Sequence, residues 1–450
     1  MTPTQVTDAT AAYQMWLRFR SMMGELPSIA YGVSYQRRGV VLGAMGMADL
    51  GTGAQARADH TGYRVASITK TFTATLIMQL VEQGRVRVDE PVATYLPWLP
   101  SSMADAGITL RHLLTHSSGV IRDGSGEWGE NDLPDQQTLR RDLEAGPTFA
   151  EPSVGFRYSN VAYALAGAIV EAVTELSFAE AIVGSILKPL GMRNSGTRLT
   201  PRLRKTLAVG YWGRRPGEPF QAIPATEARA FEPAGGLIST VPDLLRYQEA
   251  HFVGDSRLLS DLSKREMQRS QWQRDAEPHH GYGWMLWTVD GIRIRGHSGG
   301  YAGFSTRIGF APEEGVAAVV LTNTLSPLPE VLVDGFFHML SRVHSLWDAA
   351  KPRGTGGRAE LGKFVGQYRG HWGERLVIRI NGSLYLLEPS ADRPLDEAAR
   401  LDPLQGTARF LISEHEDYGN RGEELTFGLA KDGTASELYI GPLHYQRQDV

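Results

Sequence analysis

Apolar residues recur every three or four positions beyond Val65, at Ile68, Phe72, Leu76, Ile77, Leu80 and Val81. That period predicts a buried helix, with Gly84 where a glycine commonly ends one. Upstream, a helical pattern over 9–24 precedes strand-like runs at 29–36 (IAYGVSYQ) and 39–46 (GVVLGAMG). A second clear helix is predicted over 160–174 (NVAYALAGAIVEAVT), with Asn160 as a candidate cap. From 282 the pattern returns to strands: YGWMLWTV, IRIRGHSGG, FSTRIGFAP and GVAAVVLTN, separated by turn residues. A helix over about 328–346 closes this region. Strands at both ends of the region around a helical centre predict an α/β (α+β) fold, one antiparallel sheet flanked by helices. KPRGTGGRAE (351–360) has the composition of a linker. After it, the short alternating runs LVIRI, SLYLLE, ARFLIS, ELTFGLA and ELYIG predict a small antiparallel β-barrel. The expected organisation is a domain over 1–350, a linker over 351–360 and a barrel domain over 361–450.

The predicted helix at 67–84 holds a chemical oddity, because Ser67 stands three residues before Lys70 in a segment patterned for burial. Residues three apart share a helix face, so the hydroxyl and the amine can meet. A desolvated lysine loses its preference for the charged form, and a neutral amine can take a proton from a serine. The same spacing also suits a polar helix start with a lysine snorkelling to the surface. Acyl-transfer chemistry would need a second proton carrier, a polar group to hold the substrate and an oxyanion hole. FRYSNVAY offers Tyr158 and Asn160 at a turn before a helix, and GHSGG offers His297, Ser298, Gly299 and Gly300 at a strand edge. Each pattern alone recurs by chance. S-x-x-K occurs again at Ser185–Lys188, Y-x-N at Tyr418–Asn420, and H-x-G at His60, His279 and His371. Context separates them: Pro189 stops the segment after Lys188, and Tyr418 falls in an acidic turn.

Taken together, SITK, YSN and HSG resemble the three elements of the serine β-lactamase and penicillin-binding superfamily, in its class C-like branch. LRHLLTHSSGV, YSNVAYALAGAIVE, LKPLGMRNS and AGGLISTVPDLLRY strengthen the likeness, which spans roughly residues 10–345. That branch includes D-alanyl-D-alanine carboxypeptidases, D-aminopeptidases and lactamase-like esterases. The resemblance implies Ser67 as the acylated nucleophile, with Lys70 and Tyr158 sharing the base and acid roles. It implies Asn160 on the acyl-side amide and His297, Ser298, Gly299 and Gly300 along the strand bordering the site. The oxyanion hole would use the N–H groups of Ser67 and Gly300. The tail from about 361 (FVGQYRG) is similar to lipocalin-like domains of some D-aminopeptidase relatives. No K-T-G occurs, His297 standing where a lysine would, and no glutamate is evident for class A-style deacylation. Cleavage of a small ester, amide or short peptide is therefore expected ahead of β-lactam hydrolysis. A penicillin-binding sensor or scaffold without turnover is the non-enzymatic alternative.

A rival reading lies in GHSGG, which matches the G-x-S-x-G elbow of α/β-hydrolases with Ser298 as nucleophile. That elbow requires a helix immediately after the serine, and GYAGFSTRIGF is strand-like instead. His112 and His116 have the spacing of a zinc helix but lack its glutamate, and a helix-end role is expected. His279–His280 is expected to face solvent. Trp284 and Trp287 read as strand core or as cleft lining. The stretch 199–232, with Tyr211 and Trp212, is long enough to form a wall or lid. Arg307 either supplies the charge missing at His297 or lies on the surface.

Composition changes little in this picture. The 450 residues are 42% hydrophobic and 21% charged, with a net charge of -4, so no global basic field favours nucleic acid. The local basic cluster at 201–218 is expected to be a solvated loop. The chain has no cysteine, which removes disulfides and thiolate chemistry. No metal or cofactor is implied. No run approaches the length of a membrane span and no signal peptide is visible at the N-terminus, so a cytoplasmic location without membrane association is expected. Oligomeric state is open.

Overall fold

The computed structural model describes the chain except residues 25, 38, 126–132, 147–149, 214–216, 274–277, 351–359, 406–407, 414–420 and 449–450. The expected linker thus falls almost wholly outside the described residues. The chain forms two compact units, one of Leu26–Thr288 with Arg293–Val333, the other of Met1–Glu25, Val289–Ile292 and Asp334–Val450.

The first unit is built on an eight-stranded sheet. Its order is Ala54–Gln55, Gly39–Asp49, Ser28–Tyr35, Val316–Thr322, Phe304–Ala311, Ile292–Tyr301, Met285–Val289 and His279–His280. The early and late strands meet in antiparallel register, Ile29 opposite Thr322 and Tyr35 opposite Val316, as the terminal strand patterns predict. Ser28–Tyr35 and Val316–Thr322 are buried along their whole length, as central strands covered on both faces must be. Helix Val241–Glu249 lies directly on the sheet. A Cβ at Gly32 would sit 2.5 Å from Val241 Cγ1, so glycine is what permits that approach.

The helical side is centred on Thr69–Glu82 and Asn160–Thr174. The former is enclosed nearly all round, because its apolar positions alternate with threonines rather than charges. Those threonines satisfy themselves locally, Thr71 donating to Ile68 O at 2.8 Å and Thr75 to Thr71 O at 2.9 Å. The helix over 160–174 has the expected bounds but a different cap. Ser159 accepts from Ala162 N–H at 2.9 Å, which leaves the Asn160 side chain free of capping duty. The basic cluster at 201–218 opens as a helix, Pro201–Thr206, capped by Thr200, rather than as a loop.

In the second unit, strands from Gly366–Gly370 to Leu443–Arg447 close into an eight-stranded antiparallel barrel. Phe364, Tyr368, Leu386, Phe410, Phe427 and Leu438 are among the side chains that fill it. Helix Pro3–Met23 belongs to this unit. Trp16 Nε1 donates to Ala391 O at 3.1 Å, and Arg20 pairs with Asp392 at 2.6 Å. The part of helix Leu328–Leu346 from Asp334 onward packs here as well, with Phe336 5.2 Å from Tyr13. The sequence reading grouped both helical segments with residues 26–333. The aromatic side chains that seat them against the barrel unit leave no periodic signal of which partner they cover.

Candidate active site

Ser67 sits in a single 3₁₀ turn, Ala66–Ile68, immediately before helix Thr69–Glu82. Ala66 has φ 50°, a left-handed conformation that a non-glycine residue adopts at a cost. That sharp turn sets the Ser67 hydroxyl at the mouth of a cleft of about 670 Å³.

Lys70, one turn on, is fully buried. Its Nζ lies 3.1 Å from Ser67 Oγ, 2.6 Å from Asn160 Oδ1 and 2.8 Å from Ala234 O. Burial, first of all, holds this amine well below the ordinary lysine range; Asp123 opposes that shift and Arg122 adds to it. A neutral amine carries two N–H donors and one lone pair. With the N–H groups on Asn160 Oδ1 and Ala234 O, both of them acceptors, the lone pair is left facing the serine hydroxyl. Ala234 belongs to the turn Glu232–Gly235, which is tied to the same helix by Thr73 donating to Pro233 O at 2.6 Å.

Tyr158 lies on the other side of Ser67 and hydrogen-bonds it, and its ring centroid is 4.9 Å from Lys70 Nζ. Burial pushes its phenol up, so it stays protonated and can relay a proton rather than hold a charge. His116 stacks on this ring at 4.3 Å and accepts from Ser159 N–H through Nδ1 at 3.1 Å, which places its own proton on Nε2. Burial, followed by its histidine and lysine neighbours, keeps His116 neutral. His112 is occupied at a helix start, its Nδ1 accepting from Thr109 N–H and its Nε2 2.9 Å from Ser153 Oγ. The two histidines therefore serve different elements rather than one ion.

The strand Ile292–Tyr301 forms the opposite border. His297 is only 3% exposed and its Nδ1 lies 2.6 Å from Ser298 O. Burial, then the nearby Lys70, drives it well below the usual histidine range, so it is neutral. Gly299 allows the strand to lie against the segment leading into Ser67, since a Cβ there would be 2.2 Å from Val65 O and 2.3 Å from Thr306 Oγ1. Gly300 lines the cleft with nothing within 4 Å of a Cβ position, leaving its surface open to a substrate. Ser298 lies within a continuous strand and donates to Met285 Sδ at 3.9 Å, with no turn into a helix. The elbow geometry required of a Ser298 nucleophile is absent.

The structure thus brings Ser67, Lys70, Tyr158, Asn160, His297, Ser298, Gly299 and Gly300 together from three stretches of chain. It separates the competing motifs: Ser185 and Lys188 are exposed, and Tyr418–Asn420 lies outside the described residues. Trp284 is buried against Tyr247 and Phe310, away from the cleft. Trp287 stacks under Arg307 at 4.0 Å. Arg307 faces Ser298 across the strand pair but is 5% exposed, with Glu330 at 3.8 Å, and it neither lines the cleft nor lies on the surface. Trp212 does line the cleft, at 38% exposure, as the wall reading of 199–232 predicts, while Tyr211 is buried behind it.

Sequence reasoning missed several lining residues, Arg122, Asp123, His280 and Phe156 among them. Arg122 and Asp123 sit beside Asn160, and neither has a periodic or motif signal. His280, expected in solvent, is 5% exposed and packs on Phe156 at 4.4 Å in the cleft wall. It is drawn inward because His279–His280 forms the edge strand of the main sheet. Phe156, two residues before Tyr158, carries no motif signal of its own.

The family profile described as Beta-lactamase matches residues 17–340. The chain is 30% identical over 298 residues to Penicillin-binding protein 4 of Amycolatopsis lactamdurans, covering 62% of this chain and 76% of that one. It is also 30% identical over 363 residues to Esterase EstB of Burkholderia gladioli, covering 70% and 89%. Among solved structures, the octameric penicillin-binding protein homologue from Pyrococcus abyssi aligns with TM-score 0.65 at 24% identity, over 97% and 99% of the two chains. D-amino acid amidase from Ochrobactrum anthropi SV3 aligns with TM-score 0.66 at 24% identity, over 75% and 99%. The chain, with a mixed helix-and-sheet unit and a closed barrel, belongs to the Beta-lactamase family.

Proposed function

We propose that the protein is a serine hydrolase that cleaves small esters or amides through an acyl-enzyme on Ser67. The observation that carries this reading is the threefold environment of Lys70 Nζ, two acceptors and one hydroxyl around a desolvated amine. In acylation the Ser67 O–H proton passes to Lys70 as Oγ attacks the substrate carbonyl carbon. Tyr158 then supplies a proton to the departing alkoxide or amine and is reprotonated from Lys70. Water enters by the same relay in reverse and releases the acid. The N–H groups of Ser67 and Gly300 take the oxyanion.

Leaving-group charge favours esters and uncharged amides over peptides ending in a carboxylate. The strand that would meet such a carboxylate presents a neutral His297, and Arg307 is buried beside Trp287 and Glu330. Apolar groups at Phe156, Trp212, Met285 and Leu325 suit a hydrophobic acyl or alcohol part. The names of an esterase and of an amidase among the relatives agree with this class. Steady hydrolysis of p-nitrophenyl butyrate, abolished in Ser67→Ala and retained in Ser298→Ala, is the expected result. A single stoichiometric burst would instead identify a sensor that acylates without turning over.

A further inference from the structure

Asn160 is held at both ends of its amide. Oδ1 accepts from Lys70 at 2.6 Å, and Nδ2 donates to Asp123 Oδ1 at 2.5 Å. An ionised carboxylate can only accept, so Asp123 dictates which end of the amide faces it. Asp123 is in turn paired with Arg122, whose Nε lies 3.1 Å from Asp123 Oδ2. Both residues line the cleft, and neither belongs to the three motifs.

The direction of this amide matters for the base. If Asn160 were turned, its NH₂ group would face the lysine amine. The lone pair of Lys70 would then accept from Asn160, and an N–H would be left toward Ser67. The amine would still be neutral and still be near the serine, yet unable to take its proton.

Resting on the assignment of Ser67 as nucleophile and Lys70 as base, we propose that Asp123 is a positioning residue that locks the Asn160 amide with its oxygen toward Lys70. By doing so it reserves the lysine lone pair for the serine hydroxyl. Arg122 completes the device by holding the carboxylate in place and offsetting its charge.

The pair also has an electrostatic signature. Lys70 is faced by the rings of Tyr158 and Tyr163, at 4.9 and 5.7 Å, by the neutral His116 and His297, and by Asp123 and Arg122. Of these, Asp123 favours the ammonium form and Arg122 opposes it. Removing the Asp123 charge should let the amine lose its proton at lower pH. Removing the Arg122 charge should do the opposite. These shifts follow from charge alone, whereas the plateau rate reports the orientation of the Asn160 amide.

The test is the rate at which a fluorophosphonate acylates the full-length protein across pH, for wild type, Asp123→Asn, Arg122→Gln and Ser67→Ala. Asp123→Asn, nearly isosteric, should react about 10–100-fold more slowly at the plateau, the usual range for a group that orients another. Its acid limb should move to lower pH, and that of Arg122→Gln to higher pH. A wild-type plateau and limb in Asp123→Asn would overturn the proposal, as would limbs moving in the same direction in both variants. Labelling that persists in Ser67→Ala would remove the underlying assignment. An inert Ser67→Ala beside an unaltered Asp123→Asn would refute the positioning role alone.

Discussion

A lysine with no exposed surface, bonded to a serine one helical turn away, is expensive to bury unless its neutral form is used. If it is the base, Lys70→Ala should lower turnover by at least about a hundredfold, and Tyr158→Phe by a similar factor, the scale of a general acid–base group. Steady-state kinetics on p-nitrophenyl butyrate, with folding checked by circular dichroism, measures both. The sign of the pH dependence follows from the amine. The active form is neutral, so kcat/KM should rise with pH through the depressed lysine pKa and fall below it. Because burial holds that pKa well below the lysine norm, the rise should be complete far below pH 10. A rate still climbing steeply near pH 10 would mean an ordinary lysine. At this scale the sequence was legible where a residue was out of character, as with Lys70 in an apolar run. It was silent on Asp123 and His280, which are ordinary polar residues until the fold carries them into the cleft.

Among elements, the decisive feature is how closely the strand Ile292–Tyr301 approaches the turn that carries Ser67. Gly299→Ala would drive a methyl group into Val65 O and Thr306 Oγ1. We expect a loss of about 1–3 kcal/mol in stability from overpacking, together with a fall in kcat, read from denaturant titration and kinetics on one preparation. The helix cap makes a gentler test. Ser159→Ala removes the acceptor for Ala162 N–H and the donor to Ile121 O, and should cost about 1 kcal/mol of stability. Hydrophobic period alone made the helix over 160–174 and the late strands legible, and it predicted the sheet that joins early and late strands. It could not distinguish Ser159 from Asn160 as the cap, since both residue types favour that position. Nor could it show the left-handed Ala66, because nothing in an alanine marks a positive φ.

At the scale of the whole molecule, the sequence reading ended its first domain at 350, and the packing groups the chain differently. Trp16 is fully buried, bonded to Ala391 O and packed so closely on Gly335 that a Cβ there would clash with its ring. Trp16→Ala should therefore destabilise the barrel unit by about 3–5 kcal/mol, seen as an earlier thermal transition. An unchanged melting profile would count against that grouping. Alternation marked the barrel, but the partner of an N-terminal helix is a long-range property that a local pattern does not carry. The chain offers many serines to a reactive probe, and the proposed mechanism uses Ser67 alone. Peptide mapping after fluorophosphonate labelling of the intact protein tests this most directly. A single adduct on Ser67, formed far more slowly in Lys70→Ala, is expected; an adduct on Ser298 or elsewhere, or labelling indifferent to Lys70, would contradict the proposed mechanism.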